Sequence, residues 1–342
     1  MPLNIETITQ LEEQLSRPSA EVIEEVAKID GDILVLGAGG KMGPSLARMA
    51  RRALDEAGSP HRVLAVSRFS DPRTREELES NAVEAVACDL LDASAVAALP
   101  QAAAILFLAG TKFGTTDAAA RTWAMNAYMP GLVAARWPGV PTVVFSSGNI
   151  YPFVSVESAG ATEDTPPAPI GDYAWSVLAR ERVFEHFSIH NQTPTTLYRL
   201  NYATELRYGV LVDLSQKILA DKGIDLSMGH VNVIWQGDAN ALALRCLSIA
   251  QTPPRILNVT GPYRLSIRAL ALRLGRHLGR DPIFVGTEQE HALLSDSNLA
   301  SQLFGMPEVG IEDLCEAVAR WVLAGGPTHD KPTHYEIRDG SF

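Results

Sequence analysis

Four consecutive apolar residues run straight into a cluster of glycines: Ile33-Leu34-Val35-Leu36, then Gly37-Ala38-Gly39-Gly40-Lys41-Met42-Gly43. A short apolar run without alternation is what a strand buried on both faces of a parallel sheet requires. Leu46, Met49, Ala50 and Leu54 then recur with helical period. Strand, glycine-rich turn and helix in that order point to an α/β fold built from βαβ units. Gly37 permits the tight turn, Gly39 or Gly40 removes a Cβ that would collide with a phosphate, and Gly43 lets the helix approach the sheet. The helix start adds N–H groups without partners and a partial positive charge. Residues 33 to about 54 therefore read as the strand, loop and helix that hold a dinucleotide's pyrophosphate, with Lys41 and Met42 in the loop. The plain alternative is a tight turn that binds nothing.

The rest of the chain repeats the alternation. Strands are expected at 63–66, 83–87, 104–108, 142–145 and 195–198, with helices near 92–99, 117–136 and 171–190. The fold class is thus a doubly wound parallel sheet. After Arg199 the regularity weakens. A helix near 209–222, a strand at 231–235, a helix at 237–249, a strand at 256–259 and helices near 265–279 and 311–323 follow. Residues 1–30 read as a helical extension, with Ser19 capping its second helix. The tail from Gly325 reads as irregular.

The chain has 342 residues, 29 Lys plus Arg against 40 Asp plus Glu, and a net charge of −11. That balance disfavours nucleic acid and anionic membrane as partners. Three widely spaced cysteines, Cys88, Cys246 and Cys315, suggest neither a disulfide framework nor a zinc ribbon. With no leader pattern and no apolar run near bilayer length, a cytoplasmic location is expected. His186 and His190 lie four apart on a helix, but no third ligand is evident, so no metal is expected.

The end of the second strand selects between cofactors. An acid there binds the ribose 2′-OH of NAD, and an Arg accommodates the 2′-phosphate of NADP. Here the strand ends Val66-Ser67-Arg68 with no acid, which favours NADP over NAD. Arg68 as a solvated loop cation is the other reading. Asp89, in Cys88-Asp89-Leu90, either accepts from the adenine amino group or caps the next helix.

These residues together resemble the extended short-chain dehydrogenase/reductases, the NAD(P)-dependent epimerase/dehydratase family. The spacing of Gly37, Gly40 and Gly43, the Asp89-Leu90 pair and Leu108-Ala109-Gly110 carry the resemblance. So do Met125-Asn126, which matches the family's structural asparagine, and Phe145-Ser146-Ser147-Gly148-Asn149-Ile150-Tyr151. Val233 to Asp238 and Ile256 to Val259 resemble later family segments, so the likeness runs from about 31 to 325. It implies that Ser147 and Tyr173 hold the reacting oxygen.

The family's Tyr-x-x-x-Lys appears as Tyr173-Ala174-Trp175-Ser176-Val177, with valine in the lysine's place. A phenol of ordinary pKa near 10 is a poor base at neutrality, and valine gives it no help. Lys112, beyond the fourth strand, is the candidate substitute; a solvated loop lysine is the other reading. Arg180, two turns along the helix from Tyr173, reads as too distant. Tyr202 and Arg207 stand where the resemblance starts the substrate lobe, and His329 and His334 lie in the tail.

The expected organisation is an extension (1–30), a Rossmann domain (31–200 plus 231–261) and a smaller substrate lobe (201–230 plus 262–342). The expected function is NAD(P)-dependent oxidoreduction, epimerisation or dehydration at a hydroxyl of a sugar, sugar acid or nucleotide sugar. For a nucleotide sugar, Arg264, Arg268, Arg273 and Arg276 are available to the diphosphate, though their spacing suits solvated faces. The alternative is a non-catalytic NAD(P)-binding sensor. The resemblance also implies a homodimer, with the helices at 117–136 and 171–190 paired across a two-fold axis.

Overall fold

The computed structural model describes residues 3–112, 114 and 118–341. Seven strands form one all-parallel sheet: β1 (Ile33–Leu36), β2 (Val63–Ser67), β3 (Glu84–Ala87), β4 (Ala104–Phe107), β5 (Thr142–Ser147), β6 (Thr195–Leu200) and β7 (Arg255–Val259). Their order is β3-β2-β1-β4-β5-β6-β7. The order reverses between β1 and β4, and the carboxyl ends of strands at such a switch point open a crevice. All four residues of β1 and of β4 are buried, as their apolar runs require.

Helices cover both faces. On one side lie α1 (Ile8–Leu15), α2 (Ala20–Val26) and α3 (Gly43–Glu56). Ser19 caps α2 by accepting from the Val22 amide. Between the following strands come α4 (Pro72–Ser80) and α5 (Ala93–Ala98). On the opposite face, α6 (Ala119–Trp123), a π-helical turn over Ala124–Tyr128 and α7 (Met129–Arg136) form one rod against α8 (Gly171–Asn191). The widened turn has a local cause. Pro130 lacks an N–H, and its ring would clash with the carbonyl of Asn126, four residues back. The expected start of this helix at 117 lies outside the described residues; α6 begins at Ala119.

A separate apolar cluster is built around α9 (Val210–Leu219), α11 (Ile267–Leu278) and α13 (Ile311–Leu323). Leu3, Ile5, Leu11 and Leu15 join this cluster, while Val22 and Val26 pack under the sheet, so the N-terminal segment touches both cores. The helices α10 (Gln236–Arg245) and α12 (Asn298–Phe304) complete the set.

One expectation is corrected. Residues 231–235 are not one strand. His230–Val231 pairs antiparallel with Leu265–Ser266, while Ile234–Trp235 pairs parallel with Ala203–Thr204. Asn232 marks the break, donating to the Tyr263 carbonyl and accepting from the Ser295 amide. Among the described residues no helix is long and apolar enough to cross a membrane.

Candidate active site

The glycine loop closes the carboxyl end of β1. Gly37 takes φ +90°, and a Cβ there would lie 2.5 Å from the Ala109 amide, so the turn both needs glycine and seats it against the end of β4. Gly43 opens α3 so close to Ala38 that a Cβ would strike its carbonyl. No side chain caps α3, whose first N–H groups are left for a ligand. Gly40 is different: its nearest neighbour across an added Cβ is the Gly37 carbonyl at 3.4 Å, so its face is open.

One arm of the crevice is lined by Gly37, Gly39, Gly40, Ser67, Arg68, Asp89, Leu90, Ala109, Gly110 and Met125. Ser67 packs beside Gly39, and Arg68 is exposed at the rim. Asp89 accepts from the Leu91 amide, a local turn contact, while its neighbour Leu90 is buried. The other arm, of about 830 Å³, carries Lys41, Met42, Gly43, Lys112, Ser147, Asn149, Tyr173 and Tyr208. That is the upper range for small-molecule sites.

Tyr173, on the first turn of α8, shares a hydrogen bond with Ser147 at the end of β5. Ser147 also donates to Asn149 Oδ1 at 3.2 Å. Burial pushes the Tyr173 phenol up, while the Arg180 guanidinium and the bond with Ser147 pull it back. Val177 faces an apolar cluster of Ile150, Tyr151 and Ala161, so no cation stands one turn on from the tyrosine.

Lys112 and Lys41 both line this arm of the crevice. The Lys112 ammonium lies 5.9 Å from the Tyr173 ring centre and donates to the Thr333 carbonyl at 3.4 Å. Poor hydration pulls it down to about 8, with Asp213 opposing. Lys41 turns away from its own loop, donating to the Ala203 carbonyl at 3.3 Å and lying 3.9 Å from the Tyr208 ring centre. Burial brings it to about 7 against the pull of Glu205, with Lys112 and Arg207 pushing the same way as burial.

Asn126 is wholly buried and faces protein on both sides. Its Oδ1 accepts from the Thr111 amide and Arg180 Nη2; its Nδ2 donates to the Thr111 carbonyl and Ser176 Oγ. It therefore clamps the segment that carries Lys112. Arg180 is the surprise of this region. It is buried, bonded to Asn126 and to the Phe145 carbonyl, and near enough to Tyr173 for its charge to favour the phenolate. The expectation that it is too distant is corrected. Side chains on a helix lean toward its N-terminus, which carries a long guanidinium back over the turns before it.

Tyr202 and Arg207 line the crevice, and so do His329, Lys331 and Thr333 from the irregular tail. Lys331 lines both arms. Arg207 is held by Glu12 at 2.6 Å and by Glu205 at 3.1 Å; Glu205 in turn meets His329 at 3.3 Å. The sequence carries no local signal for Glu205, Asp213 or Lys331, because long-range packing brings them in. Arg264, Arg268 and Arg273 pair instead with Glu157, Glu288 and Glu312. His186 and His190 stack at 5.8 Å, and no metal-holding group of three His, Cys, Asp or Glu exists among the described residues.

A doubly wound sheet with this order and a glycine loop at its switch point defines a Rossmann-type protein. The NAD dependent epimerase/dehydratase family matches residues 33–203, half of the chain, and the chain belongs to that family. No curated protein matches it in sequence. Solved structures that resemble it include UDP-glucose 4-epimerase of Thermotoga maritima with UDP-glucose (17% identity, 86% of this chain and 99% of that one, TM-score 0.71). UDP-glucuronic acid 4-epimerase of Bacillus cereus with NAD is similar at 18% identity (85% and 96% covered, TM-score 0.70). The dTDP-glucose 4,6-dehydratase of Streptomyces venezuelae, with NAD and TYD bound, is similar at 18% identity (85% and 97% covered, TM-score 0.72).

Proposed function

We propose that the chain binds NAD(P) along the crevice and acts on a hydroxyl of a nucleotide sugar, by epimerisation, dehydration or simple oxidoreduction. The observation that carries this is the hydrogen-bonded Ser147–Tyr173 pair in the same crevice as the glycine loop. A fold that only bound a dinucleotide would need neither hydroxyl. Bound NAD(P) supplies the hydride acceptor. Ser147 and Tyr173 hold the substrate oxygen, and Tyr173 takes its proton. Lys112, whose ammonium lies 5.9 Å from the Tyr173 ring centre, is our candidate to pass that proton on. The open face of Gly40 and the uncapped start of α3 suit a pyrophosphate. The resembling structures carry UDP-glucose, NAD and TYD, which supports nucleotide-sugar chemistry. A binding-only role is the second reading, favoured by Val177 alone.

NADP is the favoured cofactor, because β2 runs out through Ser67 and Arg68 with no acid at that strand end, and Arg68 stands exposed at the rim of an arm that Asp71 and Asp89 also line. Calorimetry tests both points. Wild-type protein binds NADP(H) more tightly than NAD(H), and Arg68→Ala weakens NADP(H) selectively. Gly40→Asp weakens both by about thirtyfold, about 2 kcal/mol, because its carboxylate faces the pyrophosphate. Unchanged binding in folded Gly40→Asp sinks the cofactor assignment; tighter NAD(H) sinks the NADP preference.

The working unit is a homodimer joined through α6, the π-helical turn and α8. Three large aromatics stand out there, Trp123 at 38%, Tyr128 at 60% and Trp175 at 51% exposure. Such a surface suits a two-fold partner. Light scattering at micromolar concentration is expected to give a dimer mass; Trp175→Glu is expected to give monomer. A monomeric wild type refutes it.

A further inference from the structure

Helix α8 carries Val177 at the position where the family resemblance implies a lysine, and holds a buried arginine three residues further on. We infer that Arg180 is the positioning residue for Tyr173, its fixed guanidinium charge taking the electrostatic place that Val177 leaves empty. This rests on the reading of Tyr173 as the group that takes the substrate proton.

The geometry is specific. Tyr173, Val177 and Arg180 follow one another along one face of α8, at the spacings of four and three that stack side chains. The backbone rise from Tyr173 to Arg180 is about 10 Å. The arginine side chain leans back along that rise, toward the start of the helix. Its guanidinium is then fixed at two points. Nη1 donates to the Phe145 carbonyl at 2.8 Å, two residues before Ser147 on β5. Nη2 donates to Asn126 Oδ1 at 2.8 Å. The same end of β5 thus carries both the hydroxyl that bonds Tyr173 and the carbonyl that holds Arg180.

The surroundings are shaped for this group. A Cβ on Gly110 would run into Arg180 Nη2 and come within 2.8 Å of Asn126 Oδ1, so the glycine after β4 leaves room for the guanidinium. The guanidinium carbon lies 5.7 Å from the Phe107 ring centre, a cation–π distance. Arg180 Nε, buried, has no hydrogen-bond partner among the described residues. A buried arginine bonded only to neutral acceptors keeps an uncompensated charge to act on its neighbours. Glu181, next in sequence, is already engaged with Arg199. Burial lowers Arg180 to about 10, against the pull of Tyr173 and Glu181, which leaves it cationic at neutrality. Unlike a lysine, it does not give up a proton, so its part is to favour the phenolate and not to carry the proton onward.

The test reads the Tyr173 phenol itself. Ultraviolet difference titration, wild type minus Tyr173→Phe and repeated in each background, isolates that one tyrosine with or without NAD+. Arg180→Gln is expected to raise its midpoint by about one pH unit, the low end of what a nearby opposite charge does to a pKa. Arg180→Lys is expected to hold it near the wild-type value. Adding Val177→Lys to Arg180→Gln is expected to bring it back down. If Arg180→Gln does not fold, Gly110→Ala displaces the guanidinium without removing it, and the midpoint rises in the same direction. A folded Arg180→Gln with an unmoved Tyr173 overturns the inference, as does a midpoint that follows Lys112→Met and ignores Arg180. Calorimetry with NAD(P)(H) on the same variants separates failure of this inference from failure of the cofactor reading. A shifted midpoint in a protein that turns over no substrate supports the charge coupling between Arg180 and Tyr173 and overturns the proton-transfer reading on which its positioning role rests.

Discussion

If the proposed function holds, Tyr173→Phe is expected to lower turnover of nucleotide sugars by about a thousandfold, within the range that removal of a positioned proton-transfer group costs. The ring stays and only the hydroxyl goes, so packing against Val177 and Ile150 is preserved. Cofactor affinity is therefore expected to hold while kcat falls. The pH dependence follows from the direction of the phenol's shift. Burial holds it above its ordinary value, so the phenolate is scarce at neutrality. In the oxidative direction the wild-type rate rises with pH as the phenol ionises, and this rise disappears in the variant. The assay screens UDP- and dTDP-sugars, following sugar products and absorbance of reduced nicotinamide. If a substrate turns over equally well with phenylalanine at 173, the roles given to Ser147 and Tyr173 are wrong. The binding-only reading predicts no turnover for either protein.

Glu181→Ala destabilises the fold by about 3–5 kcal/mol, because it strands a buried cation. Glu181 is fully buried and accepts from Ser146 Oγ at 2.5 Å and from Arg199 at 2.7 and 2.9 Å. Arg199 is only 2% exposed. Burial by itself would lower this guanidinium, but Glu181 outweighs it and leaves Arg199 above its ordinary value. Arg199 also donates to the Tyr151 hydroxyl, which donates to Asn258 on β7. The network ties α8 to β5, β6 and β7 just beneath Ser147. Removing both charges, in Glu181→Met with Arg199→Met, is expected to cost far less than the single change, since no unpaired ion remains. Urea unfolding at neutral pH measures the difference. A single variant no less stable than the double shows that the pair carries no such charge coupling.

How much could be read beforehand depended on how local the signal was. The strands β1, β2 and β4 and the glycine loop were legible, because central strands of a parallel sheet are buried on both faces and read as unbroken apolar runs. Helix α13 was also legible, over Ile311–Leu323, from its strong amphipathic period. Helix α4 escaped because its body, Pro72–Ser80, is almost entirely polar and only Leu78 is buried. The start signal was present: Asp71 accepts from the Arg73 amide, and proline sits in the first turn. Position 177 is informative as an absence, but spacing along the helix does not carry its consequence. Counting residues measures distance between backbones, and Arg180 acts through the length and lean of its side chain. Of the tail residues in the crevice, only His329 stands out in the sequence; Lys331 and Thr333 do not, since a stretch without period gives no hint of what it lies against.

The last strand of the sheet has a bearing on how the chain is made. β6 ends at Leu200, but its outer neighbour β7 begins only at Arg255. Until those later residues leave the ribosome, β6 is the sheet's open edge, with five of its six residues apolar-packed or otherwise destined for burial. An unpaired edge of that kind is a template for pairing with another chain. Growing chains of this protein thus pass through a window, more than fifty residues long by position, in which a neighbouring nascent chain can add to the sheet. Once β7 adds, it becomes the edge itself, and Asn258 ties it inward, its amide donating to Glu163 and its side chain accepting from Tyr151.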